Sequence, residues 1–503
     1  MTWRAWLALI GMSVLTWSMA WAGPAADPLA QYGLPWTSQV HWSNQTTVSP
    51  VPDGTSDGAL RDAQRRLAGH RGGVIVFEPG IYRFAETIHL GDGIVLRGAD
   101  PSGVGDARDS RYALPVRFEF PRYVPTFEGR GTPIDTAFKG ITLADPGASN
   151  CGVLNIAIDY GHIDMPSADG NGTGRNRFVV GCILTHAAVA DPGIPNAHYG
   201  QHPWQRFTAR HHAAVCVCAV ENILVANNRL PESGDGNFTM NDFIVQGGRI
   251  DGVVFDYDNR PGLYVNDAGL GGAGASGPDG TPETHPWGFR KGIVIRDNYV
   301  FCTGRCAISF SGDGTICADN VIRFKDDVWR PTTTGTNLTR GSATNDNRAV
   351  QMRGWRWTVS GNRYRVYRNI CYDRQYRLND GEGLMHEDHV NSTVKDSRLI
   401  GNRGNSYISI YKTGGIDGLL IRGNDIRTAG GIAAIYVVAD RNQGRYPCRN
   451  VTIEDNITAG SGIQISGEPA SNNVIRNNRH VGPGGGILNA AQAVLDNNTG
   501  YAP

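Results

Sequence analysis

The 503-residue sequence lacks a dominant sign of charge: 47 basic residues stand against 47 acidic ones, and charged residues make up only 19% of the chain. The basic excess usual in a nucleic-acid-binding protein is missing, so no nucleic-acid partner is expected. No two Cys-x-x-Cys motifs occur, which argues against structural zinc. Nine cysteines are present, an odd number. Cys302 and Cys306 flank a three-residue turn where a disulfide would fit, whereas Cys216 and Cys218 share one face of a strand and are expected to pack as small apolar residues. The 66 glycines follow no strict triplet, which excludes collagen.

Long apolar runs are absent after the first twenty-odd residues, so no later segment is expected to span a bilayer. The one run, Ala5 to Trp21, follows Arg4 and ends in Ala20-Trp21-Ala22, a small-x-small cleavage triplet. Residues 1–22 therefore read as a secretory signal peptide, with Gly23 the first mature residue and residues 23–503 one domain. The mature chain is expected to be secreted or periplasmic, free of the membrane and monomeric.

What the sequence does hold is a repeat. The phrases ILVANN (223–228), IVIRDN (293–298), TICADN (315–320), WTVSGN (357–362), LLIRGN (419–424), VTIEDN (451–456) and NVIRNN (473–478) each read as a short strand closed by a polar turn. TVKDS (393–397) is aligned with them, which puts Ser397 in the asparagine place. Asparagine suits such a turn because it tolerates left-handed backbone angles, and stacked asparagines bond one another. About twelve residues earlier runs a second strand: AISFS (307–311), AVQMR (349–353), YISIY (407–411), AIYVV (434–438) and GIQIS (462–466). Alternation turns Ile308, Phe310, Val350, Met352, Ile408, Ile410, Ile463 and Ile465 inward. Two strands per coil, stacked with inserts of variable length, describe an all-β solenoid: a single-stranded, right-handed parallel β-helix. Inserts near 100–135, 160–215, 230–290 and 325–347 become loops on one side.

DGTSDGALRDAQRRLAGHRGGVIVFEPGIYRF (53–84) resembles the opening of the rhamnogalacturonase and epimerase-like pectate lyase superfamily: an Asp-Gly turn, a helix, a glycine pair, an apolar strand and Pro-Gly-x-Tyr. Asp57 is expected to cap a helix whose Leu60, Ala63 and Leu67 share a face and plug the open end of the solenoid. The resemblance implies a β-helix acting on or binding glycans, with the floor of the groove on the strand face that carries AISFS. Lyases, hydrolases, epimerases and non-catalytic members share the fold, so the fold leaves the reaction open. Neither a Gly-His-Gly with a distant Arg-x-Lys nor an Asp-Pro-His occurs.

The stretch NDGEGLMHEDH (379–389) gathers Asp380, Glu382, Glu387 and Asp388 with two histidines. His386-Glu387-Asp388-His389 is one residue short of His-Glu-x-x-His, so the zinc-protease pattern fails. In the register of AISFS, Leu384 and His386 face inward and Met385 and Glu387 outward, with Asp388 at the level of Lys412. Glu387 then neighbours Arg353 and Tyr411, within an outward polar strip of Ser309, Ser311, Gln351, Arg353, Glu387, Ser409, Tyr411 and Lys412. Three readings compete: a solvated ladder of weak ion pairs, an oxygen-rich calcium site at Asp326, Asp327, Glu387 or Asp388, and catalysis on a glycan.

For hydrolysis, Glu387 is central, with Asp388 and Glu382 beside it and Asp313 about 10 Å away across two coils as a second carboxylate. For β-elimination on a uronate, Arg353, Lys412 and Tyr411 supply cations and a proton acceptor. Ser309, Ser311, Gln351, Ser409 and Tyr411 are the candidate substrate-binding residues. Trp204, Trp287, Trp329, Trp355 and Trp357 lie in or near the inserts, where rings stack on sugars or simply pack. The reading is a polysaccharide-cleaving enzyme, hydrolase ahead of lyase, with a glycan-binding scaffold as the non-catalytic alternative. No cofactor is required; calcium is admitted.

Overall fold

The computed structural model describes residues 26–121, 139–165, 174–185, 213–231, 241–247, 291–302, 306–324, 348–366, 368–370, 378–380, 382–387, 393–411, 413–428, 433–441 and 444–502. Its strands stack as a right-handed parallel β-helix. Every pairing in the two large sheets, of 27 and 12 strands, is parallel. Among the described residues the antiparallel pairs are two small hairpins, Arg368–Ile370 with Leu378–Asp380 and Asp440–Arg441 with Gly444–Arg445.

A coil has three strands rather than the two read from the sequence. Cys306–Asp313, Ile316–Ala318 and Val321–Phe324 make one coil, and Arg348–Trp355, Thr358–Ser360 and Arg363–Arg365 make the next. They lie on what are here termed the first, second and third faces. Third-face strands run only two to four residues, too short for period-2 alternation to register. Inward residues of all three faces join one continuous core, in which Ile308, Phe310, Val350, Met352, Ile408, Ile410 and Ile465 are fully buried.

The asparagine phrase marks the corner between the second and third faces, and two residues do separate work there. The first takes the left-handed conformation: Asn227, Asp297, Asp319, Gly361, Gly401, Gly423, Asp455, Asn477 and Asn497 all have φ between 48° and 65°. The second is a buried asparagine with ordinary backbone angles. Its side chain runs along the solenoid, Nδ2 of each donating to Oδ1 of the next, from Asn228 through Asn298, Asn320, Asn362, Asn402, Asn424, Asn456 and Asn478 to Asn498. Each Nδ2 also reaches a carbonyl of the preceding coil, as Asn424 does at Leu399 O (2.9 Å).

This ladder corrects the alignment of the 393–397 phrase. Asn402, not Ser397, fills the rung between Asn362 and Asn424, and Ser397 pairs in register with Leu419. The phrase that repeats is SRLIGN, whose Leu399 takes the inward place of Val359 and Ile421.

The helix Asp57–Ala68 buries Leu60, Ala63 and Leu67 against the first coils. Its N-cap is Ser56, and Asp57 does not cap it. The Asp57 carboxylate instead accepts from the backbone of Ala85 (3.1 Å) and Glu86 (3.2 Å), tying the helix start to the neighbouring coil. The strand Gly73–Phe77 is preceded by Gln45–Val48, which pairs with it. Ahead of that, Leu29, Trp36, Val40 and Trp42 pack on the outside of the second face over Val95, Leu154, Phe178 and Leu224.

Inserts do not all leave from one side. Residues 98–115 leave from the asparagine corner and fold back along it. Ala107 N donates to Asn227 Oδ1, and Arg108 reaches both Asp106 and Asp297 (2.9 Å each). The strands that flank 166–174, 186–212, 248–290 and 325–347 end at the two remaining corners, which bound the first face. No helix among the described residues is long and apolar enough to cross a membrane.

Candidate functional site on the first face

The first face is built from Cys306–Asp313, Arg348–Trp355, Glu382–Glu387, Ile408–Tyr411, Ile435–Val438 and Ile463–Ser466, paired in that order. The expected register holds. Ile308, Val350, Leu384, Ile408, Ile435 and Ile463 form one inward column, and Phe310, Met352, His386, Ile410, Val437 and Ile465 another. His386 is wholly buried, its ring stacked on Trp357 at 6.1 Å, as a core position demands.

Between those columns the strands place Ser309, Gln351, Met385, Ser409, Tyr436 and Gln464 at one level. At the next level Ser311 pairs with Arg353, and Glu387 with Tyr411. Glu387 follows His386, whose partner is Met352, so Arg353 stands at the level of Glu387. Backbone register thus brings Ser311, Arg353, Glu387 and Tyr411 into one row across four consecutive coils. Of Ser309, Ser311, Glu382 and Glu387 the strand placement alone is described; Glu382 pairs in register with Arg348, at the far end of its strand. Asp326, Asp327, Asp388 and Lys412 lie outside the described residues, as do Trp204, Trp287 and Trp329.

Two expectations about this strip are corrected. It was expected to be open along its length, yet Gln351 is 1% exposed, Arg353 6%, Met385 0% and Ser409 1%. Alternation decides which side of a strand a residue takes. It does not decide whether that side meets water. Partial exposure returns at Tyr411, Tyr436, Gln464 and Ser466. The Tyr411 and Tyr436 rings meet edge-on, centroids 6.2 Å apart. Tyr436, Gln464 and Ser466 were missed as site residues, although the alternation of AIYVV and GIQIS marks them as outward.

The second correction concerns Asp313, expected to be an exposed second carboxylate. It ends its strand at the corner between faces, pairing in register with Trp355 on one coil and with Lys291 of the second face on the other. There it is buried and held by the Arg356 fork, Nε donating to Oδ1 at 2.6 Å and Nη2 to Oδ2. The carboxylate in turn pushes the Arg356 guanidinium above its ordinary value. Both carboxylate oxygens of Asp313 are thus taken by one guanidinium at the corner, away from the Glu387 row. Close by, the Lys395 ammonium lies over the Trp355 ring at 4.7 Å, and Trp357 is fully buried, so both tryptophans serve packing.

Among the described residues no group of three or more His, Cys, Asp and Glu side chains is placed to hold a metal ion. Cys151, Cys182, Cys317 and Cys448 are free and buried. The structure describes only the strand placement of Cys216, Cys218, Cys302 and Cys306.

No family model and no curated protein matches the chain. Solved structures do match in shape. An α-1,3-glucanase catalytic unit of family GH87 from Streptomyces thermodiastaticus is 15% identical, with 90% of this chain and 69% of that one covered at a TM-score of 0.42. A surface adhesin of Streptococcus pneumoniae is 12% identical over 90% of this chain and 89% of its own, TM-score 0.41. A mannuronic acid-specific family 6 polysaccharide lyase from human gut microbiota is 11% identical over 89% and 84%, TM-score 0.39. At these identities the likeness is one of fold.

Proposed function

We propose that this protein is an exported, polysaccharide-cleaving enzyme of the pectate lyase-like β-helix superfamily, one domain from residue 23 onward, working on its first face. The observation that supports this is the row Ser311, Arg353, Glu387 and Tyr411, a carboxylate position beside a cation and a phenol on adjacent coils. That row sits on a face with long inserts leaving at both of its corners, and the tyrosine pair on its more open part suits sugar rings.

In the hydrolytic reading Glu387 donates the proton to the leaving oxygen, and the second carboxylate comes from Asp388 or Glu382. One observation favours a second reading, β-elimination on a uronate. Asp313 is tied to Arg356 and so withdrawn as partner, whereas Arg353 and Tyr411 remain at the level of Glu387. There Arg353 would neutralise the uronate carboxyl and Tyr411 or Glu387 would move the proton.

The test is a panel of acidic and neutral polysaccharides, followed at once for new reducing ends and for ultraviolet absorbance of unsaturated uronate, with Glu387→Gln as control. Reducing ends alone, lost in the variant, establish the hydrolase. Both signals together establish the lyase and move attention to Arg353. Silence over a broad panel overturns the enzymatic reading in favour of a glycan-binding scaffold.

A further inference from the structure

The third face carries a feature that the first-face reading leaves unused. Its strands begin directly after each ladder asparagine, so their outward residues sit one and three places later. On three consecutive coils those places hold Arg323, then Arg363 and Arg365, then Arg403. Arg323 pairs in register with Arg365, and Arg363 with Arg403. All four are exposed. Among the described residues none of them has an acidic side chain within ion-pair distance, unlike Arg427 on the following coil, which binds Asp425 at 2.8 Å. One coil earlier, Phe301 pairs in register with Arg323 and is half-buried.

We infer that this arginine patch is a second, non-catalytic binding surface for a linear polyuronate lying along the solenoid axis. Adjacent coils are about 4.8 Å apart, so the guanidiniums rise in fixed, short steps on a rigid sheet. A polyuronate offers one carboxylate per sugar, and each guanidinium presents a planar fork that matches a carboxylate at two points. Phe301 gives an apolar edge for a pyranose ring beside the first cation. Nucleic acid suits the patch less well. It depends on a broad positive field, and here Asp319 and Asp425 bound the patch on a chain of zero net charge. The inference does not rest on the first face being catalytic.

The experiment compares binding of polygalacturonate, neutral dextran and single-stranded DNA by calorimetry and affinity electrophoresis, in a Glu387→Gln background so that turnover is excluded. The quadruple variant Arg323→Gln, Arg363→Gln, Arg365→Gln and Arg403→Gln is expected to weaken polygalacturonate binding roughly tenfold, four exposed pairs at the low end of surface ion-pair strength. Its melting temperature should stay unchanged, because all four side chains are exposed. The pair Arg363→Lys and Arg403→Lys, which keeps charge but loses the fork, is expected to fall between. Equal affinity in the quadruple variant overturns the inference, as does binding of DNA as tight as that of polygalacturonate. In the active protein, loss of cleavage with polymer affinity retained would count against the first-face reading alone.

Discussion

Removing one rung from the middle of the asparagine ladder tests the stacking argument most directly. Asn362 is fully buried. Its Oδ1 accepts from Asn320 N (3.1 Å) and Asn320 Nδ2 (2.8 Å), and its Nδ2 donates to Cys317 O (3.0 Å) and Asn402 Oδ1 (3.0 Å). Asn362→Ala therefore strands the Asn320 amide and one Asn320 Nδ2 hydrogen, while Cys317 O lies in a strand paired with the next coil. Asn402 Oδ1 keeps the Asn362 backbone N–H at 3.1 Å. Two stranded buried groups at about 1 kcal/mol or somewhat more each, plus the small cavity, give about 2–4 kcal/mol. That is a large share of the 5–15 kcal/mol typical of a folded domain (about 0.1 kcal/mol per residue).

The assay is guanidinium denaturation of wild type, Asn362→Ala and Asn498→Ala, reading the midpoint at fixed slope. Asn498 makes the same bonds at the last rung, to Ile475 O (2.7 Å) and from Asn478 N (3.1 Å), but it is half-buried. Water replaces its side chain there, so its loss should cost less than about 1.5 kcal/mol. Equal costs at the two positions, or a cost at Asn362 under about 1 kcal/mol, would refute the reasoning. Asn362→Asp separates donor from acceptor. It still accepts from Asn320, yet it faces Cys317 O and Asn402 Oδ1 with a buried charge, which raises its pKa. Its destabilisation should be present at neutral pH and recede as pH falls through that raised value.

Two further outcomes follow from burial and charge. Burial pushes the thiols of Cys151, Cys182 and Cys448 up to about 12, and raises Cys317 as well. Iodoacetamide at pH 8 should therefore leave all four unmodified in the native protein and label them in denaturant, as read by peptide mass; native labelling of any of them would contradict the fold. Hydrogen bonds from Arg108 hold the Asp106 carboxyl below its usual range. The insert 98–115 should thus keep its amide protection from neutral pH down to the ordinary carboxylate value of about 3.9 and lose it only as pH falls through the lower folded value. Asp106→Asn should flatten that acid-side loss, measured as exchange protection of Ala107 and Arg108.

The parts of the fold legible in the sequence were those dictated by local repetition. Alternation in AISFS, AVQMR and LMHED placed Phe310, Met352 and His386 in one inward column, which the pairing reproduces. The helix face Leu60, Ala63 and Leu67 was legible for the same reason. Where two residues shared a signal, the reading blurred. In SRLIGN the left-handed Gly401 and the buried Asn402 make the corner, but TVKDS, one strand-length earlier, carries a similar alternation and drew the alignment to Ser397. Asp57 illustrates a second limit. A carboxylate at a helix start looks like a cap, yet its partners, Ala85 and Glu86, come from the chain 28 and 29 residues on.

The site divides along the same line. On the first face the strand begins and ends at corners where the chain departs in inserts of variable length, so sequence fixes the direction of Gln351, Arg353 and Ser409 but not their access to water, and all three proved buried. Asp313 likewise lay two residues beyond Ser311, the last level read from alternation, at the corner where Arg356 takes it. The third face lacks that uncertainty. Its strand follows the ladder asparagine without an insert on these coils, so the residues one and three places after Asn320, Asn362, Asn402 and Asn424 face outward. Arg323, Arg363, Arg365, Arg403 and Arg427 occupy those places, and every one is exposed. Among the described residues only Arg427 finds an acid, Asp425, two residues away on its own strand. The four remaining cations stand on strands that start directly at the ladder, in register from coil to coil, so their spacing is a property of the fold itself and any ligand they take must match it.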